Sequence, residues 1–251
     1  MNTLTVLLIV LLVLMLLVGG RSGLRSFASV VVNTCLIILV ALLISWGVNV
    51  IVCAVIFIPL KLLTIIYLGT HDLAVAREAF WSALAVSLVV SCGIITLQWL
   101  AQAHGLGDQS GEELVGLSLL VGISYPQICT LVAIFSTLGA IAEASVAMCA
   151  GLFALEKKQS AITWQSLVAS GRAIGQDVLG TAVNTILFGF FGSCLPLLIW
   201  YQRLHYSLAQ LVNDKLFVIN FLMVIYSLLG VLLVVPLTTW ALAGKRKEHK
   251  K

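Results

Sequence analysis

The sequence predicts an all-α polytopic membrane protein with about seven transmembrane helices, its N-terminus outside and its C-terminus inside. Of its 251 residues, 61% are apolar and only 10% are charged, and the mean hydropathy is +1.13. Soluble globular domains contain about 45–50% apolar and about 25% charged residues. A water-soluble fold of this size would have no interior large enough for these side chains. Repeat, coiled-coil, disulfide-rich and disordered proteins are excluded by the same figures, because each class needs polar periodicity or lower hydrophobicity.

Stretches without Asp, Glu, Lys or Arg define the candidate spans. They are 3–20, 26–60, 79–107, 114–142, 178–202 and 216–244. A helix needs about 20 apolar residues to cross about 30 Å of hydrocarbon, and the second stretch, extended to residue 69, holds two helices with a break at 46–49. We expect a single transmembrane domain over 1–251, with a basic cytoplasmic tail at 244–251 and helices at about 3–20, 27–46, 49–69, 79–101, 128–156, 176–201 and 216–243.

Three of these elements need further justification. The first helix is expected to stay attached rather than be cleaved as a signal peptide, because Arg21 and Arg25 follow the apolar run and no Lys or Arg precedes it. Segment 114–124 is too short to span and is expected to be interfacial or re-entrant. The pattern of residues 163–175 predicts an amphipathic cytoplasmic helix before the sixth span. Asp177 is expected at the start of that span, where the helix dipole favours a negative charge.

The distribution of basic residues predicts the orientation. Seven spans place eleven Lys and Arg residues on one side, including the C-terminal tail, and only Arg203 and Lys215 on the other. Lys61 lies inside a span. Positive residues favour the cytoplasmic side, so the N-terminus is expected outside and the C-terminus inside.

Several kinds of chemistry lack support in the sequence. The six cysteines all fall within proposed spans and form no C-x-x-C pair, and the four histidines have no metal-ligand spacing. No phosphate-binding loop or serine-nucleophile motif is present. The basic residues are confined to short loops and the tail, which is not a nucleic-acid-binding pattern. We therefore expect no metal, no cofactor, no nucleic-acid partner and no enzymatic activity.

Two charges lie at membrane depth. Glu143 interrupts an apolar helix near its middle. On translocon scales, inserting an acidic residue at such a position costs about 2.5–3.5 kcal/mol of free energy. It is expected to face the bundle interior, to be partly protonated or to have a partner, either as a proton or cation site or as a neutral acid that hydrogen-bonds across a helix interface. Lys61 is expected either to snorkel to the cytoplasmic surface or to pair with Glu143, from which its depth differs by about 8 Å.

The sixth helix carries three polar side chains within five residues. Thr181, Asn184 and Thr185 form a hydrogen-bonding stripe, which is expected either as a contact between helices or as the lining of a wet pathway. Small residues share these faces, since Gly180 precedes Asn184 by four residues and Gly139 precedes Glu143 by four. This spacing favours helix contact over lipid exposure.

Three runs in the second half of the chain carry a family resemblance. They are LVGISYPQICTLVAIFSTLGA before and into the fifth helix, LGAIAEASVAMCAGLFALEKK at 138–158 and SGRAIGQDVLGTAVNTILFGFFGSCLPLLIWY at 170–201. The chain resembles the YibE/F family of multi-pass bacterial membrane proteins from about residue 27 onward, and in particular the shorter YibF-type members. The resemblance implies localisation in the bacterial cytoplasmic membrane, and it implies a homodimer or a heteromer with a YibE-type sister protein. In many members the position of Glu143 is an Asp.

A wider resemblance suggests a mechanism. Glu143 and the pair Asn184–Thr185 are similar to an arrangement in resistance-nodulation-division transporters and SecDF export factors, where an intramembrane Asp on one helix accompanies a Thr- or Asn-rich motif on the next. Pro236 resembles the Pro-containing segment of their last helix. Those proteins couple proton flow to transport through two pseudo-symmetric halves, and this chain corresponds to one half. Two functions therefore stay open, namely a proton-coupled transporter or export factor, and a non-transporting subunit that stabilises or regulates a sister protein.

Overall fold

The computed structural model describes residues 3–101, 124–158 and 164–249, and within these ranges the chain forms seven helices and no strand. They are α1 (Thr3–Ser45), α2 (Val50–Gly69), α3 (Leu73–Ala101), α4 (Tyr125–Lys158), α5 (Trp164–Arg203), α6 (Leu208–Asn213) and α7 (Lys215–His249). All except α6 are long and apolar enough to cross a membrane. The predicted all-α, multi-pass membrane fold is confirmed. The predicted interfacial or re-entrant segment lies outside the described residues, apart from Ser124.

Helix α1 contains a sharp turn at Gly20. Its backbone there has φ 53° and ψ −131°, a conformation that favours glycine because any Cβ would clash. The chain folds back so closely that a Cβ on Gly23 would lie 1.7 Å from the carbonyl oxygen of Met15, although eight residues of straight helix span about 12 Å. Residues 3–19 and 21–45 are thus two helical segments, about 25 and 37 Å long at 1.5 Å per residue. The predicted loop between the first two helices is wrong, because the reversal needs only one residue.

The break between α1 and α2 falls at the predicted place. Gly47 has φ +85°, which lets the chain turn, and Asn49 caps α2 by accepting a hydrogen bond from the backbone N–H of Ile51 at 2.8 Å. Asparagine is a preferred N-cap because its side-chain oxygen satisfies an otherwise unpaired helix N–H.

Helix α5 differs most from its prediction. The separate amphipathic helix expected at 163–175 is continuous with the span, so Asp177 lies well inside α5 rather than at a helix start. The physical reason is packing. A Cβ on Gly171 would lie 2.5 Å from Cγ2 of Thr239, and one on Gly175 would lie 2.3 Å from Cγ1 of Val235. This part of α5 therefore contacts α7 directly instead of lying on the membrane surface.

Smaller differences have local causes. Helix α3 begins at Leu73 rather than near 79, because Asp72 Oδ1 accepts from the backbone N–H of Ala74 at 3.0 Å. The short helix α6 was not predicted, and it starts with a capping box formed by Ser207 and Gln210. Helix α7 continues to His249, through most of the predicted tail.

Helix α4 lies at the centre of the bundle. It contacts α2, α3, α5 and α7, and these neighbours also contact one another in the order α2–α3–α7–α5. Helix α1 contacts α2, and α6 contacts α7. Glycine again allows close approach at Gly230 of α7, where a Cβ would lie 2.7 Å from Cγ1 of Ile141. The largest side chains of the core with almost no exposure include Leu62, Ile66, Ile94, Leu138, Ile141, Met148 and Val231.

Candidate functional site

Glu143 is exposed on the outer surface of the bundle. It lies within two residues of the midpoint of the 34-residue helix α4, so its carboxyl group is far from both ends of this span. On the same face, Gly139 one turn away and Ser136 and Ala150 two turns away are exposed as well. Of the three alternatives expected for Glu143, the inward-facing carboxyl does not agree with this exposed position, whereas partial protonation and a partner stay predictions.

The packing order explains where this face opens. Since α2, α3, α7 and α5 surround α4 and each contacts the next, the remaining side of α4 lies between α5 and α2. We call this surface the α4 open face and define it by Val132, Ser136, Gly139, Glu143 and Ala150. A Cβ on Gly139, one turn before Glu143, would meet nothing within 4 Å, so no described residue covers the α4 open face at this position.

Helix α5 presents a second polar surface outward. Its exposed residues at mid-helix include Gly180, Thr181, Asn184, Thr185 and Phe188, which we call the α5 open face. Phe188 is 75% exposed. Asn184 lies next to the midpoint of the 40-residue helix. Helix α5 therefore carries an amide group near its middle, on a face that no described residue covers.

Both open faces place their polar groups at one depth. Gly151 of α4 contacts Ile174 of α5, where a Cβ would lie 3.0 Å from Cγ2, and the two helices are antiparallel neighbours because only five residues connect them. Eight residues, or about 12 Å, beyond this contact α4 reaches Glu143 and α5 reaches Ala182. Asn184 is two residues further, so the carboxyl and amide groups lie within about 3 Å of each other in depth.

Hydrogen bonding singles out the same two residues. The hydroxyl of Thr181 donates to the carbonyls of Asp177 and Val178, and that of Thr185 donates to the carbonyl of Thr181. These hydroxyls are satisfied inside their own helix. Neither the carboxyl of Glu143 nor the amide of Asn184 has a side-chain hydrogen bond or ion pair within the described ranges. Both therefore need a partner other than the described residues, or water.

Lys61 is not brought to Glu143. It is only 5% exposed, and its ammonium Nζ lies 4.9 Å from the centroid of the Phe135 ring, a distance at which a cation is attracted to an aromatic face. Phe135 precedes Glu143 by eight residues, or about 12 Å along α4. The structure shows neither the snorkelling arrangement nor the ion pair expected for Lys61.

Sequence reasoning did not single out several buried polar groups. The amide of Gln98, the hydroxyl of Ser145 and the phenol of Tyr226 are buried without a hydrogen-bond partner among the described residues. Gln98 is 3% and Tyr226 is 1% exposed. In contrast, Ser82 and Thr238 hydrogen-bond to each other between α3 and α7. In the sequence, the signal for these buried groups was a polar residue within a largely apolar run.

The end of the bundle that carries Arg77 and Lys157 is held by two polar contacts. Ser22 of α1 hydrogen-bonds to His71, and Lys157 Nζ lies 3.3 Å from Asp72 Oδ2. The backbone N–H of Ala74 and then the Lys157 ammonium hold the pKa of Asp72 below its ordinary value. These contacts connect α1, the α2–α3 connection and α4 at what we term the basic end.

Comparisons with known proteins give one finding. A family model described as YibE/F-like protein matches residues 7–247 of the chain. Neither the comparison with curated proteins nor that with solved structures found a match. Among the described residues, no three His, Cys, Asp or Glu side chains are grouped so that they could hold a metal ion.

Proposed function

Because this chain belongs to the YibE/F-like family over nearly its whole length, we propose that it is one half of a proton-coupled transporter or export factor in the bacterial cytoplasmic membrane, with the basic end in the cytoplasm. Its role is transport rather than an enzymatic reaction. Glu143 takes up and releases the proton, and Asn184, Thr181 and Thr185 form the polar surroundings of the carboxyl group in the assembled unit.

The outward position of Glu143 at mid-helix is the observation that carries this proposal. An acidic group left in the bilayer centre costs about 2.5–3.5 kcal/mol on translocon scales. A helix that served only as a structural span would gain this free energy by replacing the carboxyl with an apolar side chain. Ionisable residues within membrane spans almost always face a bundle interior or a water-filled cavity, and they mark proton and ion pathways. An uncovered carboxyl therefore favours a site that is completed at an interface with another subunit or helix group.

The side-chain chemistry suits a proton carrier. A protonated carboxyl group donates one hydrogen bond, whereas the ionised form only accepts. The amide of Asn184 offers both a carbonyl acceptor and N–H donors, and it can therefore partner either state. The polar groups at this depth are consistent with the sequence resemblance to one half of a resistance-nodulation-division or SecDF membrane domain. That resemblance is an analogy at the level of the fold.

The test is proton-linked flux in vesicles. The purified chain is reconstituted alone and together with a YibE-type sister protein, a pH gradient is imposed, and the internal pH is followed with an enclosed dye. We expect dissipation of the gradient beyond that of empty vesicles. Glu143→Gln should abolish it, because the amide cannot carry a proton, while Glu143→Asp, the residue of many family members, should retain it.

Glu156→Gln is the matched control, since it makes the same chemical change on the same helix near its end. Its flux should equal that of the unchanged chain. Wild-type flux in Glu143→Gln would refute the proton-carrier role of Glu143. No flux above empty vesicles in any combination of the two proteins would refute transport altogether.

A second candidate function is a non-transporting subunit. The observation that favours it is that Glu143 opens sideways toward the bilayer, where a neutral acid could hydrogen-bond to a sister protein. In this case Glu143→Gln, which preserves shape and neutral hydrogen bonding, should leave co-purification with the sister unchanged, and Glu143→Ala should reduce it, with no flux in either preparation.

A further inference from the structure

We propose that the partner that covers Glu143 is a second copy of this chain, which places its α5 open face against the α4 open face. The inference rests on the proposed function in that it names the missing half. Glu143 of each copy would then hydrogen-bond to Asn184 of the other copy, giving two equivalent contacts in one dimer.

Symmetry makes the depth match decisive. Two copies inserted in the same orientation are related by a two-fold axis along the membrane normal, and rotation about that axis leaves depth unchanged. A residue can therefore meet only those partner residues that share its own depth. The register of Gly151 with Ile174 places Glu143 and Asn184 within about 3 Å in depth. A self-complementary interface of this kind needs one patch that carries both halves of the contact, and adjacent helices α4 and α5 supply it.

The shape of the two faces suits close contact between helices. A Cβ on Gly139 or Gly180, or on the exposed Gly192 one turn beyond Phe188, would meet nothing within 4 Å, so these positions leave room for another backbone to approach. Small residues at spacings of three to four are how membrane helices come close enough to hydrogen-bond. Helix α5 also has the larger uncovered surface, since only 11% of its most apolar stretch is buried, compared with 44% for α4.

Other occupants fit the chemistry less well. Lipid chains offer no hydrogen bond to Glu143 or Asn184, and an unsatisfied polar group in hydrocarbon is costly. The first segment of α1, residues 3–19, is exposed along most of its length, but it is almost wholly apolar and presents no amide or carboxyl at mid-helix. The α5 open face supplies the missing donor and acceptor at the required depth.

Disulfide formation between differently tagged copies tests the register. The six native cysteines are replaced by alanine, each copy receives one cysteine, and two copies with different tags are expressed together without a sister protein. The pairs Glu143→Cys with Asn184→Cys, and Val132→Cys with Gly192→Cys, match in depth. The crossed pairs of the same four variants differ in depth by about 13–15 Å, too far for a disulfide, which needs Cα atoms within about 7 Å.

We expect a covalent dimer that carries both tags from the matched pairs and loss of that product in the crossed pairs. The pair Val132 and Gly192 leaves Glu143 and Asn184 unchanged, so it reports the dimer even where removal of the carboxyl weakens it. A benzophenone side chain at position 132 of the otherwise native chain provides a second reading, and it should label residues near Gly192 of the other copy.

The results separate this inference from the proposed function. Depth-matched products from either pair support the second copy, whether or not the vesicles show flux. Absence of product from both matched pairs and no benzophenone labelling between copies, or equal product from matched and crossed pairs, overturns it. Flux that depends on Glu143 would in that case leave the proposed function standing with a different partner.

Discussion

Replacement of Gly175 by alanine tests whether α5 and α7 are in direct contact. The new Cβ would lie 2.3 Å from Cγ1 of Val235, whereas ordinary contact begins at 3.4 Å. The helices would have to separate by about 1 Å or Val235 would have to move. Overpacking of this kind costs about 1–3 kcal/mol, while alanine gains up to about 1 kcal/mol in helix propensity. We expect a net loss of up to about 2 kcal/mol in the free energy of unfolding.

Gly93→Ala is the control for this substitution. Gly93 lies inside α3, and a Cβ there would meet nothing within 4 Å, so this variant should gain stability by up to about 1 kcal/mol. Unfolding by denaturing detergent, followed by circular dichroism, should therefore separate the two variants by about 1–3 kcal/mol. The double variant Gly175→Ala with Val235→Ala should recover much of the loss, because the clashing methyl groups are gone. Equal stabilities of Gly175→Ala and Gly93→Ala would refute the packing of α5 on α7.

Three further predictions concern the ends of the bundle. The Ala74 N–H and Lys157 hold the native pKa of Asp72 below its unfolded value. The carboxylate therefore stabilises the fold fully above the unfolded pKa, and this stabilisation is lost as the pH falls through the native pKa. Melting temperatures should show this loss at acid pH in the unchanged chain and not in Asp72→Asn. The hydroxyl of Tyr201 donates a hydrogen bond to Asp214. Tyr201→Phe should lower the free energy of unfolding by about 1.5–3 kcal/mol, as for a hydrogen bond to a charged group. A stability equal to that of the unchanged chain would contradict this role. An N-terminal tag should be reached by a membrane-impermeant reagent in intact cells and a C-terminal tag should not, and both tags on one side would remove one of the seven predicted crossings.

Local chemistry made some elements predictable from the sequence. The turn at Gly47 and the cap at Asn49 depend on residues within a few positions of one another, and the pattern of apolar runs is enough to locate α2, α4 and α7. The limits of helices that pack on one another were harder to predict. Gly171 and Gly175 were compatible with a surface helix, and their contact with α7 depends on residues at least 60 positions away.

The candidate site shows the same division. Helical spacing correctly placed Gly139 on the face of Glu143 and Gly180 on that of Asn184, because positions four apart share a side of a helix. Which side is left uncovered depends on how four helices arrange themselves around α4, and periodicity carries no such information. The sequence left open whether the carboxyl faces the bundle interior, is partly protonated or has a partner, and in the structure Glu143 is exposed. The contact between Lys61 and Phe135 could likewise not be predicted from the sequence, because it joins two apolar helices that are far apart along the chain.

The turn at Gly20 bears on how the chain enters the membrane during synthesis. No loop separates the two segments of α1, so the translocation machinery meets them as one helical hairpin whose bend is followed by Arg21 and Arg25. Arginines near a span favour retention in the cytoplasm, and an inward bend would set the direction of every helix made afterwards. A β-branched residue at position 20 would have to adopt a φ of 53°, which such side chains resist. Its first effect would then fall on the topology of the nascent chain, before any bundle exists to be destabilised.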